Sequence, residues 1–256
     1  MPIPDRLNPT FAAARASVPD PIVEASKRMI VALDLPDAAA ALVMAAELES
    51  TCLWFKVGLE LFTAAGPAVL EPLVERGHSV FLDLKFHDIP NTVAGAVRSA
   101  ARLGVKMLTV HAGGGPAMLR AAREALEGVE DAPELIAVTT LTSMDAEQAA
   151  AVGWGRSPAE QVELLARMGL EAGIRGFVCS PEEVNALRAL AGPEAVLVTP
   201  GIRPAGAYAG DQKRVATPAE ALRQGASYLV VGRPITQAAD PAEAAEGILR
   251  EMAEAV

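Results

Sequence analysis

Asp83, Lys85 and Asp88 stand within six residues, in the segment Phe81-Leu-Asp83-Leu-Lys85-Phe-His87-Asp88-Ile89-Pro-Asn91. The first two are two apart in a β-type run, and a strand turns residues of that spacing to one side. Asp88 follows in the loop. An ammonium beside carboxylates stays protonated, because opposite charge stabilises the charged form. Such a lysine suits proton donation or electrostatic stabilisation. It does not suit a Schiff base, which needs a neutral amine. The alternative is an ion pair that only closes a strand end.

A second cluster lies further along. Thr199-Pro-Gly-Ile-Arg203 and Val-Val-Gly232-Arg233-Pro each follow an apolar run. Arginines give paired, charge-assisted hydrogen bonds to phosphate oxygens, and glycine lets backbone N–H groups approach closely. The small-residue stretch from Pro204 to Lys213 between them reads as a lid, or as an ordinary surface loop. Lys56 in Trp-Phe-Lys56-Val-Gly and Asp34 in Val-Ala-Leu-Asp34 end two further runs. Lys56 reads as a site cation or a rim charge, and Asp34 as a site residue or the cap of the helix after Pro36. His78, His87 and His111, the two cysteines Cys52 and Cys179, and Trp54 and Trp154 read as packing or turn residues. Three histidines without clustered partners predict no metal site.

Elements that hold these groups follow a rhythm. Apolar runs at Met29–Asp34, Leu53–Val57, Ser79–Lys85, Lys106–His111, Leu135–Thr140, Gly176–Cys179, Ala195–Thr199 and Tyr228–Gly232 lack polar alternation, as strands buried on both faces do. Helical stretches lie between them at Ala38–Glu49, Ala64–Arg76, Thr92–Leu103, Pro116–Leu126, Pro158–Ala172, Glu182–Leu190 and Pro218–Gln224, with a last one from about Pro241 to Glu254. Helix-start signals stand at Asp37, Ser157-Pro158, Ser180-Pro181 and Thr217-Pro218. Eight strand–helix units predict an α/β fold, a single (β/α)8 TIM barrel, over a doubly wound open sheet. A barrel places its chemistry at the C-terminal strand ends, and its phosphate site after strands seven and eight. The charged residues above fall there. Pro-rich residues 1–26, with a short helix at Phe11–Ser17, read as a leader packed on the outside, and residues 27–256 as the barrel domain.

Composition narrows the function. The chain has 256 residues, 51% hydrophobic, enough for a large core without staples. Its net charge of -10 repels nucleic-acid backbones, and 4% aromatics leaves few stacking surfaces. Two cysteines exclude a disulfide scaffold and suit a reducing cytoplasm. No run is long enough to span a membrane, and no signal peptide is evident.

Taken in order, Val-Ala-Leu-Asp34, Phe-Lys56-Val-Gly, Phe-Leu-Asp83-Leu-Lys85-Phe-His-Asp88-Ile-Pro-Asn-Thr92, Val-Thr-Thr-Leu-Thr142-Ser143, Thr-Pro-Gly-Ile-Arg203-Pro, Asp-Gln212-Lys-Arg and Val-Gly232-Arg233-Pro resemble the orotidine 5'-phosphate decarboxylases, and their bacterial branch in particular. The resemblance runs from about Ile30 to Pro241. It implies a cytoplasmic, cofactor-free and metal-free decarboxylase that converts orotidine 5'-phosphate to UMP. It implies Lys85 as proton donor to C6, with Lys56, Asp83 and Asp88 completing an alternating charge network. Asp34, with Lys56, would bind the ribose, and Thr142 with Ser143 the pyrimidine. Arg203, Gln212, Gly232 and Arg233 would hold the phosphate. Asp88, Ile89 and Thr92 would reach a neighbouring subunit's site, so a homodimer with shared sites is implied. The nearest rival is a Mg2+-dependent sugar-phosphate decarboxylase of the same superfamily. An aldolase and a non-enzymatic phosphate-sensing barrel are further readings.

Overall fold

The apolar runs close on one another. The computed structural model describes residues 20–204 and 215–255, and its strands form a parallel barrel in which each neighbours the next in sequence and the eighth pairs with the first. The strands are β1 (Met29–Ala32), β2 (Trp54–Gly58), β3 (Ser79–Phe86), β4 (Met107–His111), β5 (Glu134–Val138), β6 (Gly176–Val178), β7 (Val196–Thr199) and β8 (Tyr228–Val231). Several end one or two residues before the apolar run does, because the last residues turn out of the ladder into the loops.

The continuous hydrophobicity of the strands follows from two cores. Ile30, Trp54, Phe81, Met107, Ile136 and Val198 fill the barrel interior. Their neighbours Val31, Phe55, Leu82, Leu108, Ala137 and Leu197 point outward into the helix layer. Alternate side chains therefore face two apolar surroundings, and most strand positions below the mouth are buried, with Glu134 at the start of β5 exposed.

The helices are α1 (Pro21–Ser26), α2 (Ala38–Glu47), α3 (Leu59–Ala65), α4 (Glu71–Glu75), α5 (Pro90–Ala101), α6 (Gly115–Glu124), α7 (Ala146–Ala151), α8 (Pro158–Glu171), α9 (Val184–Ala191), α10 (Pro218–Arg223), α11 (Arg233–Thr236) and α12 (Pro241–Ala253). Side chains of Asp37, Ser157 and Thr217 accept backbone N–H bonds at the starts of α2, α8 and α10. This satisfies donors that a helix start otherwise leaves unpaired.

Three features depart from expectation. The helix expected over Ala64–Arg76 is two helices and a 3-10 turn, because Gly66 takes φ 66 and Pro67 starts a new turn. α7 follows β5 and is marked by a capping box between Asp145 and Gln148. α11 is a single turn directly after β8. α1, capped by Asp20, packs on α12 at the barrel's outer layer. The helix expected at Phe11–Ser17 lies outside the described residues. Among the described residues, no helix is long and apolar enough to cross a membrane.

Candidate active site

Four charged side chains, from β2, β3 and the loop just after β1, meet at the barrel mouth. Lys56 ends up 10% exposed and Asp83 12% exposed by side chain, so both charges have left most of their water. Such burial is tolerable only for paired groups. Lys56 Nζ donates to Asp34 Oδ1 at 2.8 Å and lies 3.6 Å from Asp83 Oδ2. Lys85 Nζ contacts both carboxylate oxygens of Asp83 at 2.8 Å. The signs alternate along the row Asp34, Lys56, Asp83, Lys85. Burial by itself would raise the pKa of Asp83. The ammoniums of Lys56 and Lys85, with hydrogen bonds from Lys85 and Thr109, outweigh burial and hold the carboxyl below its ordinary value.

Asp34 is the pairing partner of Lys56, and the helix cap belongs to Asp37, whose carboxylate accepts from the Ala40 N–H at 2.9 Å. That separates the two readings of Asp34. Gly58 makes the pair possible. A Cβ placed there would stand 2.9 Å from Lys56 Nζ and 3.0 Å from Asp34 Oδ1. Its φ is -100, so the close approach, and not backbone freedom, is what favours glycine.

Lys85 reaches its position by an irregular route. β3 pairs with β4 as Phe81 with Met107 and Leu82 with Leu108, then shifts register before Phe86 meets Val110. Within the shift Lys85 takes φ 50, the left-handed region. A residue with a side chain there costs on the order of 1–3 kcal/mol. Its backbone N–H is bound by Thr109 Oγ1 at 2.8 Å, and its ammonium by a carboxylate. Hydrogen bonds to charged groups contribute about 1.5–3 kcal/mol each, enough to offset the strain. Asp83 and Lys85 thus share a side, but through a bulge and not a regular strand.

The other expected residues take varied places. Asp88, Ile89 and Thr92 are exposed, in the loop before α5 and in its first turn. Asp88 accepts the N–H of Ile89 at 2.6 Å and makes no ion pair among the described residues, so the chain alone does not bring it to Lys85. Ile89 is 67% exposed. Thr142 is half-buried and Ser143 exposed in the loop after β5. Arg203 and Arg233 line one cleft of about 410 Å³ together with Gly232, Pro200, Lys56 and Asp34. That volume lies in the small-ligand range, roughly 300–1,000 Å³. Lys56 belongs both to this cleft and to the charge row, so the two clusters seen in the sequence are one continuous site. Gln212, and all but the first residue of the expected lid, lie outside the described residues.

Thr109 and Gly58 were not singled out from sequence. A buried strand threonine and a strand-end glycine carry no signal until the β3–β4 register and the Lys56 rotamer are known. The remaining titratable groups stand apart from the charge row. His87 and His111 stack with ring centres 5.0 Å apart. Burial, then the neighbouring His87 and Lys85, lowers the pKa of His111. Its Nδ1 accepts the N–H of Gly113 at 3.1 Å. Cys52 and Cys179 are free and buried, and burial pushes both thiols up to about 12. Among the described residues, no group of three or more His, Cys, Asp or Glu could hold a metal ion.

A closed parallel barrel with an alternating charge row and an arginine-lined cleft at its strand ends defines a (β/α)8 enzyme that works at its C-terminal mouth. Residues 27–248 match the Orotidine 5'-phosphate decarboxylase / HUMPS family, and the chain belongs to that family. It is 56% identical over 236 residues to the orotidine 5'-phosphate decarboxylase of Moorella thermoacetica, covering 90% of this chain and 94% of that protein. It is 50% identical over 239 residues to that of Saccharophagus degradans, covering 93% and 98%. Among solved structures, the orotidine 5'-phosphate decarboxylase of Lactobacillus acidophilus superposes with a TM-score of 0.78 at 40% identity, covering 88% of this chain and 98% of that one.

Proposed function

We infer that the chain decarboxylates orotidine 5'-phosphate to UMP and CO2, the last step in making UMP. The observation that carries this reading is the row Asp34, Lys56, Asp83, Lys85 running into a cleft lined by Arg203 and Arg233. Its curated relatives named above bear the same activity in their names over nearly their full lengths.

The chemistry needs this arrangement. The bond from C6 to the carboxyl group breaks, CO2 leaves without the electron pair, and the pair remains on C6 with little resonance relief. A fixed ammonium in a dry site stabilises that charge at no cost of reorganisation. The Lys85 ammonium then gives its proton to C6, and the amine regains one from solvent. Asp83 grips the Lys85 ammonium with both carboxylate oxygens and sits beside the departing carboxylate. Asp34 and Lys56 hold the ribose, Thr142 and Ser143 the pyrimidine, and Arg203, Gln212, Gly232 and Arg233 the phosphate. Binding energy from the phosphate assembles the reacting end. No metal or organic cofactor takes part.

The working unit in this proposal is a cytoplasmic homodimer. Asp88, Ile89 and Thr92 of one chain complete the partner's site, which accounts for a carboxylate and a large apolar side chain left exposed beside the mouth. Residues 27–256 form the catalytic barrel, with 1–26 as an accessory leader.

The test is incubation of the purified chain with orotidine 5'-phosphate while following the loss of pyrimidine absorbance, with and without EDTA. Turnover unaffected by EDTA is expected. No turnover would overturn the reading, and turnover abolished by EDTA and restored by Mg2+ would favour the metal-dependent sugar-phosphate class.

A further inference from the structure

Thr109 lies in β4, fully buried, with no side-chain atom toward the solvent. Its hydroxyl joins two groups of the site. Oγ1 accepts the backbone N–H of Lys85 at 2.8 Å, and the O–H donates to Asp83 Oδ1 at 3.1 Å. A hydroxyl has one proton and two lone pairs, an amide N–H can only donate, and a carboxylate can only accept. The direction of both bonds is therefore fixed by chemistry.

The location of the hydroxyl is informative. The β3–β4 ladder is interrupted between Leu82 and Phe86, where the register shifts. Lys85 sits in that gap with left-handed backbone. Its N–H is met by the Thr109 side chain. The same atom braces the carboxylate that grips the Lys85 ammonium at 2.8 Å. One hydroxyl thus holds the lysine at both ends: the backbone directly, the ammonium through Asp83.

We propose that Thr109 is a positioning residue for the decarboxylation, its hydroxyl setting where the Lys85 ammonium stands at the barrel mouth. The inference rests on the decarboxylase reading above. The Thr109 hydroxyl contacts the Lys85 backbone and the Asp83 carboxylate, and not the Lys85 ammonium itself. It acts by keeping the proton donor within the narrow geometry that transfer to C6 requires, where an error of about 1 Å can cost about 100-fold in rate.

Valine keeps the shape of threonine and removes both bonds. Serine keeps the hydroxyl and removes only the methyl group. The experiment compares the parent with Thr109→Val and Thr109→Ser, measuring kcat and KM for orotidine 5'-phosphate beside the circular-dichroism spectrum. Thr109→Val should lower kcat by about 10- to 100-fold with KM within about threefold, while Thr109→Ser keeps kcat within about threefold of the parent. Should Thr109→Val not fold, Thr109→Cys takes its place. Its thiol is close in size but a weak donor and acceptor, and the same fall is expected. A folded valine or cysteine variant with unchanged kcat overturns the inference. So does a serine variant as impaired as the valine one, because packing and not the hydroxyl would then matter. A parent without turnover overturns the decarboxylase reading and this inference with it, whereas an active parent with an unchanged valine variant overturns this inference alone.

Discussion

Lys85 Nζ lies 2.8 Å from both carboxylate oxygens of Asp83, although its own backbone is in the left-handed region. The strain and the pairing belong together. The irregularity in β3 takes Lys85 out of the regular ladder, and its ammonium still closes on the carboxylate two residues back. Backbone strain of this kind persists where surrounding bonds over-determine it.

The Lys56–Asp34 pair depends on the missing side chain of Gly58. Gly58→Ala should preserve the fold, since φ of -100 suits alanine. The added methyl group must push aside Lys56 Nζ or Asp34 Oδ1. We expect kcat/KM to fall by about 10- to 100-fold, as misplaced site groups cost rate steeply. Steady-state kinetics beside a thermal melt checks this. An unchanged kcat/KM would mean that the pair tolerates displacement.

Each active site should need two chains. An Asp88→Ala chain and a Lys85→Ala chain should each be inactive alone. Mixed and allowed to exchange, they should regain activity, because one site of each mixed dimer then carries neither defect. Mass spectrometry checks that mixed dimers exist. Mixed dimers without activity would remove the shared-site proposal.

The cleft arginines should act on the phosphate alone. Arg233→Ala should cost on the order of 3 kcal/mol in transition-state stabilisation with orotidine 5'-phosphate, near the upper range for a hydrogen bond to a charged group. With orotidine, which lacks the phosphate, the parent should already be poor and the variant little worse. Kinetics with both substrates decides the matter. Equal losses would show that Arg233 supports the reacting end instead.

Acid should destabilise the fold from near neutrality. The pKa of His111 is lowered in the folded chain, mainly by burial, and that of His78 likewise. The unfolded chain therefore binds more protons once pH falls below about 6.5, so stability drops below that value. Asp83 adds to this lower down. Its depressed pKa contributes stability above its ordinary value, near 3.8, that is lost as pH falls through the folded one. The urea midpoint should be lower at pH 5.5 than at pH 7.5, and His111→Gln should narrow the difference. A midpoint equal or higher at pH 5.5 would contradict the sign.

The barrel was legible because its strands are apolar on both sides, so eight runs stand out between charged helices. The capping signals at Asp37, Ser157 and Thr217 were legible because a cap is a local bond. Gly66 and Pro67 were local too, yet the alanine-rich run around them concealed the break. Asp34, Lys56, Asp83 and Lys85 could be read as strand-end charges, and the structure gathers them in one row. Thr109 could not be read in this way. Its role depends on which strand lies beside β3, on the register between them, and on a bulge that shifts it. Asp88 was legible from its spacing as a carboxylate near Lys85, but its proposed role at a neighbouring site only through family resemblance, because the proposed partners lie on another chain.

The central claim is that Lys85, held by Asp83, supplies the proton to C6. The most direct measurement is the rate of absorbance loss from orotidine 5'-phosphate by Lys85→Ala against the parent, with folding confirmed by circular dichroism. Removing a general acid and a fixed charge together should lower turnover by about four powers of ten or more. A folded Lys85→Ala chain within about tenfold of the parent rate, an energy difference of only about 1.4 kcal/mol, would contradict the claim.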